Sequence, residues 1–148
     1  SILARQAAKK GILFVRVHDV KENAQAIVEF LLQEKKATKV YYPGIEGTKA
    51  YEICKKQASG FGSMLTFEVE SKELALHILK STKLIPFAES LGGVETLLTY
   101  PTTQTHADVP EEVRLRNGIT DRVLRLSVGI EDKADLIADL KQAIDSYR

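Results

Sequence analysis

Apolar residues recur along this chain with two different periods, and the switches between them outline its elements. In residues 21–35, Ala24, Ile27, Val28, Leu31 and Leu32 fall three and four apart, which predicts an amphipathic helix with one apolar face. In residues 63–70 the order changes: Leu65, Phe67 and Val69 alternate with Met64, Thr66, Glu68 and Glu70, the period of a strand with one wet face. Residues 122–128 repeat that alternation, with Arg125 between Leu124 and Leu126. Residues 133–147 return to helical spacing through Leu136, Ile137, Leu140 and Ile144. Shorter segments fill the intervals. Residues 1–10 read as a helix ended by Gly11, and residues 12–17 as an apolar, β-branched strand. A short strand at 39–42 closes at Pro43-Gly44, and a polar helix at 48–57 carries Tyr51, Ile53 and Cys54. Ser71 is a natural N-cap for a helix reaching about residue 80. Strands at 84–88 and 95–99 flank Gly92-Gly93, and a short helix at 110–116 ends at Asn117-Gly118.

Helices and strands alternate irregularly, several strands carry one polar face, and the connections are short. That pattern predicts an α+β fold, a mostly antiparallel sheet with helices packed on one face. The 148 residues suffice for one domain with a real core. A net charge of +1, with acids and bases interspersed, gives no electrostatic footprint for nucleic acid or an anionic membrane. No apolar run is long enough for a membrane span, and no signal peptide is evident. The single cysteine, Cys54, cannot form an internal disulfide, which fits a cytoplasmic protein and a packing role for the thiol.

Familiar catalytic signatures are lacking. The chain has no Cys-x-x-Cys, no His-Glu-x-x-His and no Walker-type phosphate loop, and His18, His77 and His106 have no metal-ligand spacing. His77, inside an apolar helix, reads as structural. Two residues merit a closer look. Ser90 precedes Gly92-Gly93 where an extended segment turns, leaving hydroxyl and backbone N–H groups free to face a ligand. Arg125 has the side chain best shaped to hold a carboxylate through two parallel hydrogen bonds, although a lone strand arginine is more often part of a structural ion pair.

A resemblance sharpens this reading. The string Phe87-Ala88-Glu89-Ser90-Leu91-Gly92-Gly93-Val94-Glu95-Thr96-Leu97 precedes Tyr100-Pro101-Thr102-Thr103-Gln104-Thr105-His106 and Arg125-Leu126-Ser127-Val128-Gly129-Ile130-Glu131. Earlier come Asn23-Ala24-Gln25-Ala26-Ile27-Val28, Val40-Tyr41-Tyr42-Pro43-Gly44 and Gly60-Phe61-Gly62-Ser63-Met64-Leu65. In order and spacing these strings resemble the C-terminal domain of the cystathionine γ-synthase / cystathionine γ-lyase / methionine γ-lyase family, whose members use pyridoxal phosphate (PLP) on sulfur amino acids. The resemblance implies the small domain of a fold-type I PLP enzyme. It implies that Ser90 and Arg125 hold the substrate α-carboxylate, with Thr105 lining the same region. Anchoring that carboxylate fixes the angle of the reacting bond. It also implies that the intact enzyme carries out γ-replacement or elimination on homoserine esters, cystathionine or methionine.

Other parts of the family pattern are missing. The family's PLP lysine lies in a Ser-x-Thr-Lys motif of the large domain. Ser81-Thr82-Lys83 imitates it, but sits in a helix-to-strand connection without the expected surroundings. PLP is therefore expected in the full-length enzyme and not as a tight ligand of this chain alone. The competing reading is a folded, non-catalytic fragment or engineered fusion. Surface once covered by a large domain predicts some self-association, so a homo-oligomer is a candidate state. Residues 11–22 fit this family poorly. They resemble the last strand and turn of dihydropteroate synthases, where the residues matching Arg16 and His18 help bind anionic groups of a pterin. The plainer alternative is a polar strand end at Arg16, His18 and Asp19 leading into the next helix, and a lone barrel strand predicts no synthase activity. The expected organisation is thus an N-terminal helix and strand over 1–22, followed by the C-terminal domain over 23–148.

Overall fold

The long helical pattern becomes α1 (His18–Gln33), and the alternating segments become the strands of one sheet. A computed structural model describes residues 18–148, with side chains from Val20 onward. The expected helix at 1–10, the strand at 12–17 and Arg16 therefore lie outside the described residues, as does the His18 side chain. Following α1 come β1 (Ala37–Tyr41), α2 (Lys49–Gln57), β2 (Met64–Val69), α3 (Lys72–Ser81), β3 (Leu97–Thr99), α4 (Glu111–Arg116), β4 (Val123–Ser127) and α5 (Lys133–Asp145). The four strands lie in the order β1-β2-β4-β3, and every adjacent pair is antiparallel.

The two periods meet in the core. Leu65, Phe67 and Val69 of β2, Leu98 of β3, and Leu124 and Leu126 of β4 are buried on one face. Against them pack Ala24, Ile27, Val28 and Leu31 of α1, Leu74, Ala75 and Ile78 of α3, and Leu136, Leu140, Ala143 and Ile144 of α5. Each large side chain so buried stabilises the fold by about 1.5–3 kcal/mol. This is the expected α+β layer. Ser71 caps α3 as expected, its Oγ accepting from the Leu74 N–H at 3.1 Å.

The fold departs from the sequence reading at four places. Helix α1 starts at His18, so His18 and Asp19 are helical and not a strand end; Val20 joins Ala24 and Ile27 at helical spacing and extends the apolar row backward. Leu32 is 56% exposed, because it is turned about 100° from Leu31 and falls outside the stripe. Residues 84–88 make no strand, only a single parallel bridge from Phe87 to Leu98. The cause is a competing acceptor: the N–H groups of Lys83, Leu84 and Ile85 all donate to Asp139, and Pro86 has none to give. Finally, the polar face of β2 is not simply wet. Glu68 is buried, paired with Arg122 at 2.6 Å and Lys39 at 3.3 Å. Cys54 is half-buried on a helix with no buried residue, its thiol 3.5 Å from the Gly60 carbonyl oxygen. His77 does have a structural setting, with Nε2 at 2.9 Å from Ser146 Oγ and 3.1 Å from Ser81 Oγ.

Candidate functional site

Helices occupy one face of the sheet, so chemistry is sought on the other. There the strand register lines up one residue from each strand: Tyr41 pairs with Thr66, Thr66 with Arg125, and Arg125 with Thr99. Arg125 thus stands in the middle of the polar face, half-buried and flanked by two threonines. A cavity of about 340 Å³ opens beside it, lined in part by Tyr41, Thr66, Pro101, Ile119 and Arg125. Among the described residues no carboxylate lies within 4 Å of its guanidinium, whereas neighbouring Arg122 has Glu68. The structural ion pair that usually explains a strand arginine is not found among them. A partly desolvated cation without an opposite charge is unfavourable, and a ligand anion relieves that.

Ser90 sits exposed in the loop between the Phe87 bridge and β3. That loop is tied to the same face of the same strand. Gly92 donates its N–H to Ser127 Oγ at 2.8 Å, and Ser127 lies two residues beyond Arg125, which puts both side chains on one face. The turn uses Gly92 at φ 74°, a left-handed conformation that glycine adopts without a Cβ clash. A second tie joins the Ile130 N–H to the Val94 carbonyl at 2.9 Å. The structure therefore brings the Ser90 loop to the strand that bears Arg125, although no direct contact between the two side chains is described. Thr105 is exposed in the turn after Tyr100, with its Oγ1 2.8 Å from His106 Nδ1, and does not line the cavity beside Arg125. Ser127 escaped the sequence reading. Its only signal is its place on the polar phase of the 122–128 alternation, in step with Arg125.

A larger cleft of about 640 Å³ lies between α1 and residues 42–61, lined by Lys21, Glu29, Tyr42, Tyr51 and Phe61 among others. It shares no residue with the Ser90 loop or with Arg125. Ser81-Thr82-Lys83 forms the end of α3 and the start of the next connection. Its nearby backbone donors at Lys83, Leu84 and Ile85 are already taken by the Asp139 carboxylate. A phosphate brought there meets a fixed negative charge and no free backbone donors at those three positions. These residues do not fit a PLP cradle, and no cofactor-dependent step is assigned to them.

Residues 8–145 match the model of the Cys/Met metabolism PLP-dependent enzymes. The chain belongs to that family. It is 47% identical over 134 residues to a cystathionine gamma-lyase of Dictyostelium discoideum, covering 90% of this chain and 35% of that protein. It is 43% identical over 145 residues to a cystathionine beta-lyase of Lactococcus lactis, covering 98% of this chain and 38% of that protein. Among solved structures, cystathionine gamma-lyase from Lactobacillus plantarum complexed with L-serine superposes with a TM-score of 0.84 at 38% identity, covering 88% of this chain and 34% of the other. Cystathionine gamma synthase from Xanthomonas oryzae in complex with cystathionine gives 0.83 at 38% identity, with the same coverage. The chain thus spans about a third of the length of the relatives it matches. Among the described residues no helix is long and apolar enough to cross a membrane.

Proposed function

We propose that residues 23–148 form the C-terminal, substrate-clamping domain of a PLP-dependent transsulfuration enzyme acting on sulfur amino acids or homoserine esters. One observation carries the reading: Arg125, half-buried beside a 340 Å³ cavity, has no described carboxylate partner and shares its strand face with the residue that tethers the Ser90 loop. Arg125 supplies a planar pair of donors to the substrate α-carboxylate. Ser90 adds a hydroxyl from the exposed loop that Ser127 tethers, and Thr105, which does not line this cavity, is assigned to the same region by the family resemblance alone. PLP, held by the part of the protein outside these 148 residues, supplies the electron sink for the reaction. The role of this chain is to bind the carboxylate and fix the orientation of the substrate carbon relative to that group. Two relatives are cystathionine lyases, and the similar solved enzymes bear L-serine and cystathionine, which supports an amino-acid ligand. The reading includes a cytoplasmic location, self-association through surface that the rest of the enzyme covers, and no turnover by this chain alone.

The test is an amide NMR titration of the 148-residue chain with L-methionine and with L-methioninamide, which lacks the carboxylate. The reading predicts that L-methionine shifts the amides of residues 90–93 and 125, that the amide does not, and that Arg125→Ala weakens binding about tenfold or more. Equal responses to both probes, or an unchanged response in the arginine variant, overturn it.

A further inference from the structure

We infer that Glu131, acting through Thr96 and braced by Asn23, is a positioning residue for the carboxylate-binding loop. The inference rests on the proposed role of Ser90 and deepens it. Glu131 lies beyond β4, in the connection to α5, and Thr96 at the end of the Ser90 loop. Both oxygens of the Glu131 carboxylate are used on that one residue: the Thr96 N–H donates to Oε1 at 2.6 Å and the Thr96 hydroxyl to Oε2 at 2.7 Å. The same hydroxyl accepts from the Gly129 N–H at 2.8 Å. A side-chain amide then holds the other strand of the clasp. Asn23 Nδ2 donates to the Gly129 carbonyl at 3.2 Å and to the Glu131 carbonyl at 2.7 Å. Thr96 and Asn23 are both buried, so these bonds act with little competition from water.

The arrangement has a direction. At one end the Ser90 loop is tied to Ser127 through Gly92; at the other, Thr96 is locked by Glu131. Residues 92–96 are thereby fastened at both ends, and at Val94 through the Ile130 N–H, to the chain that carries Arg125. Gly129 lets the two backbones meet: a Cβ there would stand 2.6 Å from both Glu131 Oε2 and the Glu95 carbonyl carbon. Asn23 belongs to α1, the helix that leads back toward the upstream chain. The clasp therefore ties the carboxylate loop to the strand on one side and to this helix on the other. A charge-assisted pair of hydrogen bonds from a single residue, one from its backbone and one from its side chain, restrains rotation of that residue as well as its position.

The experiment compares Thr96→Val, Thr96→Ser and Glu131→Gln with Asp139→Asn in the 148-residue chain. Asp139 is another well-bonded carboxylate, but it serves the end of α3 and not the loop. For each variant two quantities are read: hydrogen-exchange protection of the amides at 91–96, and the L-methionine affinity from amide shifts. A positioning role predicts that Thr96→Val lowers loop protection and weakens L-methionine about tenfold, Glu131→Gln does so in the same direction, and Thr96→Ser restores both. Asp139→Asn is expected to lower urea stability while leaving both loop readouts at the wild-type value. If Thr96→Val and Glu131→Gln lower stability but leave loop protection and affinity untouched, Glu131 is a structural residue only and the inference fails. If the wild-type chain binds no L-methionine, the carboxylate reading fails on its own. Loop protection still decides the inference in that case: protection that collapses in Thr96→Val and returns in Thr96→Ser upholds it, and unchanged protection overturns it.

Discussion

Truncating Asp139 to alanine tests what holds the connection that follows α3. The Asp139 carboxylate accepts from Lys83 N at 2.8 Å, Leu84 N at 2.8 Å and Ile85 N at 3.0 Å, and from Gln142 Nε2 at 3.1 Å. These are hydrogen bonds to a buried charge, individually worth about 1.5–3 kcal/mol. Three backbone donors are stranded together when the carboxylate goes, so a simple sum gives several kcal/mol. Two facts reduce it. Lys83 and Leu84 are exposed residues, so water can reach their N–H groups, and removal of the carboxylate also removes its own desolvation penalty. Ile85 is buried, and its donor has no such rescue. The net expectation is a loss of about 3–4 kcal/mol. Urea unfolding at neutral pH, followed by far-UV circular dichroism, measures it as a fall in midpoint at unchanged slope. A loss below about 1 kcal/mol refutes the reasoning, since it means that the stranded N–H groups find partners as good as the carboxylate. Asp139→Asn, which keeps one acceptor oxygen, is expected to lie between wild type and Asp139→Ala.

Gly129→Ala forces a Cβ into the backbone of Glu95 and the carboxylate of Glu131; a loss of about 3 kcal/mol or more is expected, seen as a fall in Tm of roughly 10 °C. Burial, and after it the Cys54 charge, raises the Tyr42 phenol above its usual value. Its contribution to stability is therefore complete below about pH 10 and falls away as pH rises through the higher folded value. Tyr42→Phe is expected to flatten that alkaline decline in urea midpoints between pH 8 and pH 11, after a constant loss of about 1 kcal/mol for the bond from its hydroxyl to the Gly62 carbonyl. PLP added to the chain and reduced with borohydride is expected to label no single lysine stoichiometrically, and peptide mapping with one dominant labelled lysine contradicts this.

The helical layer was legible because it rests on period alone. Ala24, Ile27, Val28 and Leu31, and later Leu136, Leu140 and Ile144, declare their faces without reference to the rest of the chain, and all are buried. The alternation at 63–70 and 122–128 likewise placed Thr66 and Arg125 on one face, and the register then set them side by side. What stayed hidden depends on contacts remote in sequence. Residues 84–88 have the composition of a strand, yet the donors at Leu84 and Ile85 go to a carboxylate more than fifty positions away, and no local pattern announces that. Glu68 looked like a solvated residue because its partners come from two other segments, at Lys39 and Arg122.

The candidate site divides along the same line. Arg125 and Ser90 stood out because their residue types suit a carboxylate, whereas Thr96, Ser127, Gly129 and Glu131 have types found on any surface. Their importance lies in geometry. Ser127 meets Gly92 across 35 positions, and Glu131 meets Thr96 across the same interval. The Ser90 loop, extended by β3, runs antiparallel to β4 in a fixed register, Leu97 opposite Ser127 and Thr99 opposite Arg125. In such a ladder each step forward on one strand is a step back on the other, so pairs separated by a constant interval cannot belong to the ladder itself. Both bonds are made by side chains reaching along the strand, while the backbone itself stays antiparallel: the Ile130 N–H donates to the Val94 carbonyl in the register that sets Leu97 opposite Ser127. The side-chain bonds flank this backbone tie on either side, so the clasp holds the loop beside the strand that bears Arg125 without adding a strand to the sheet.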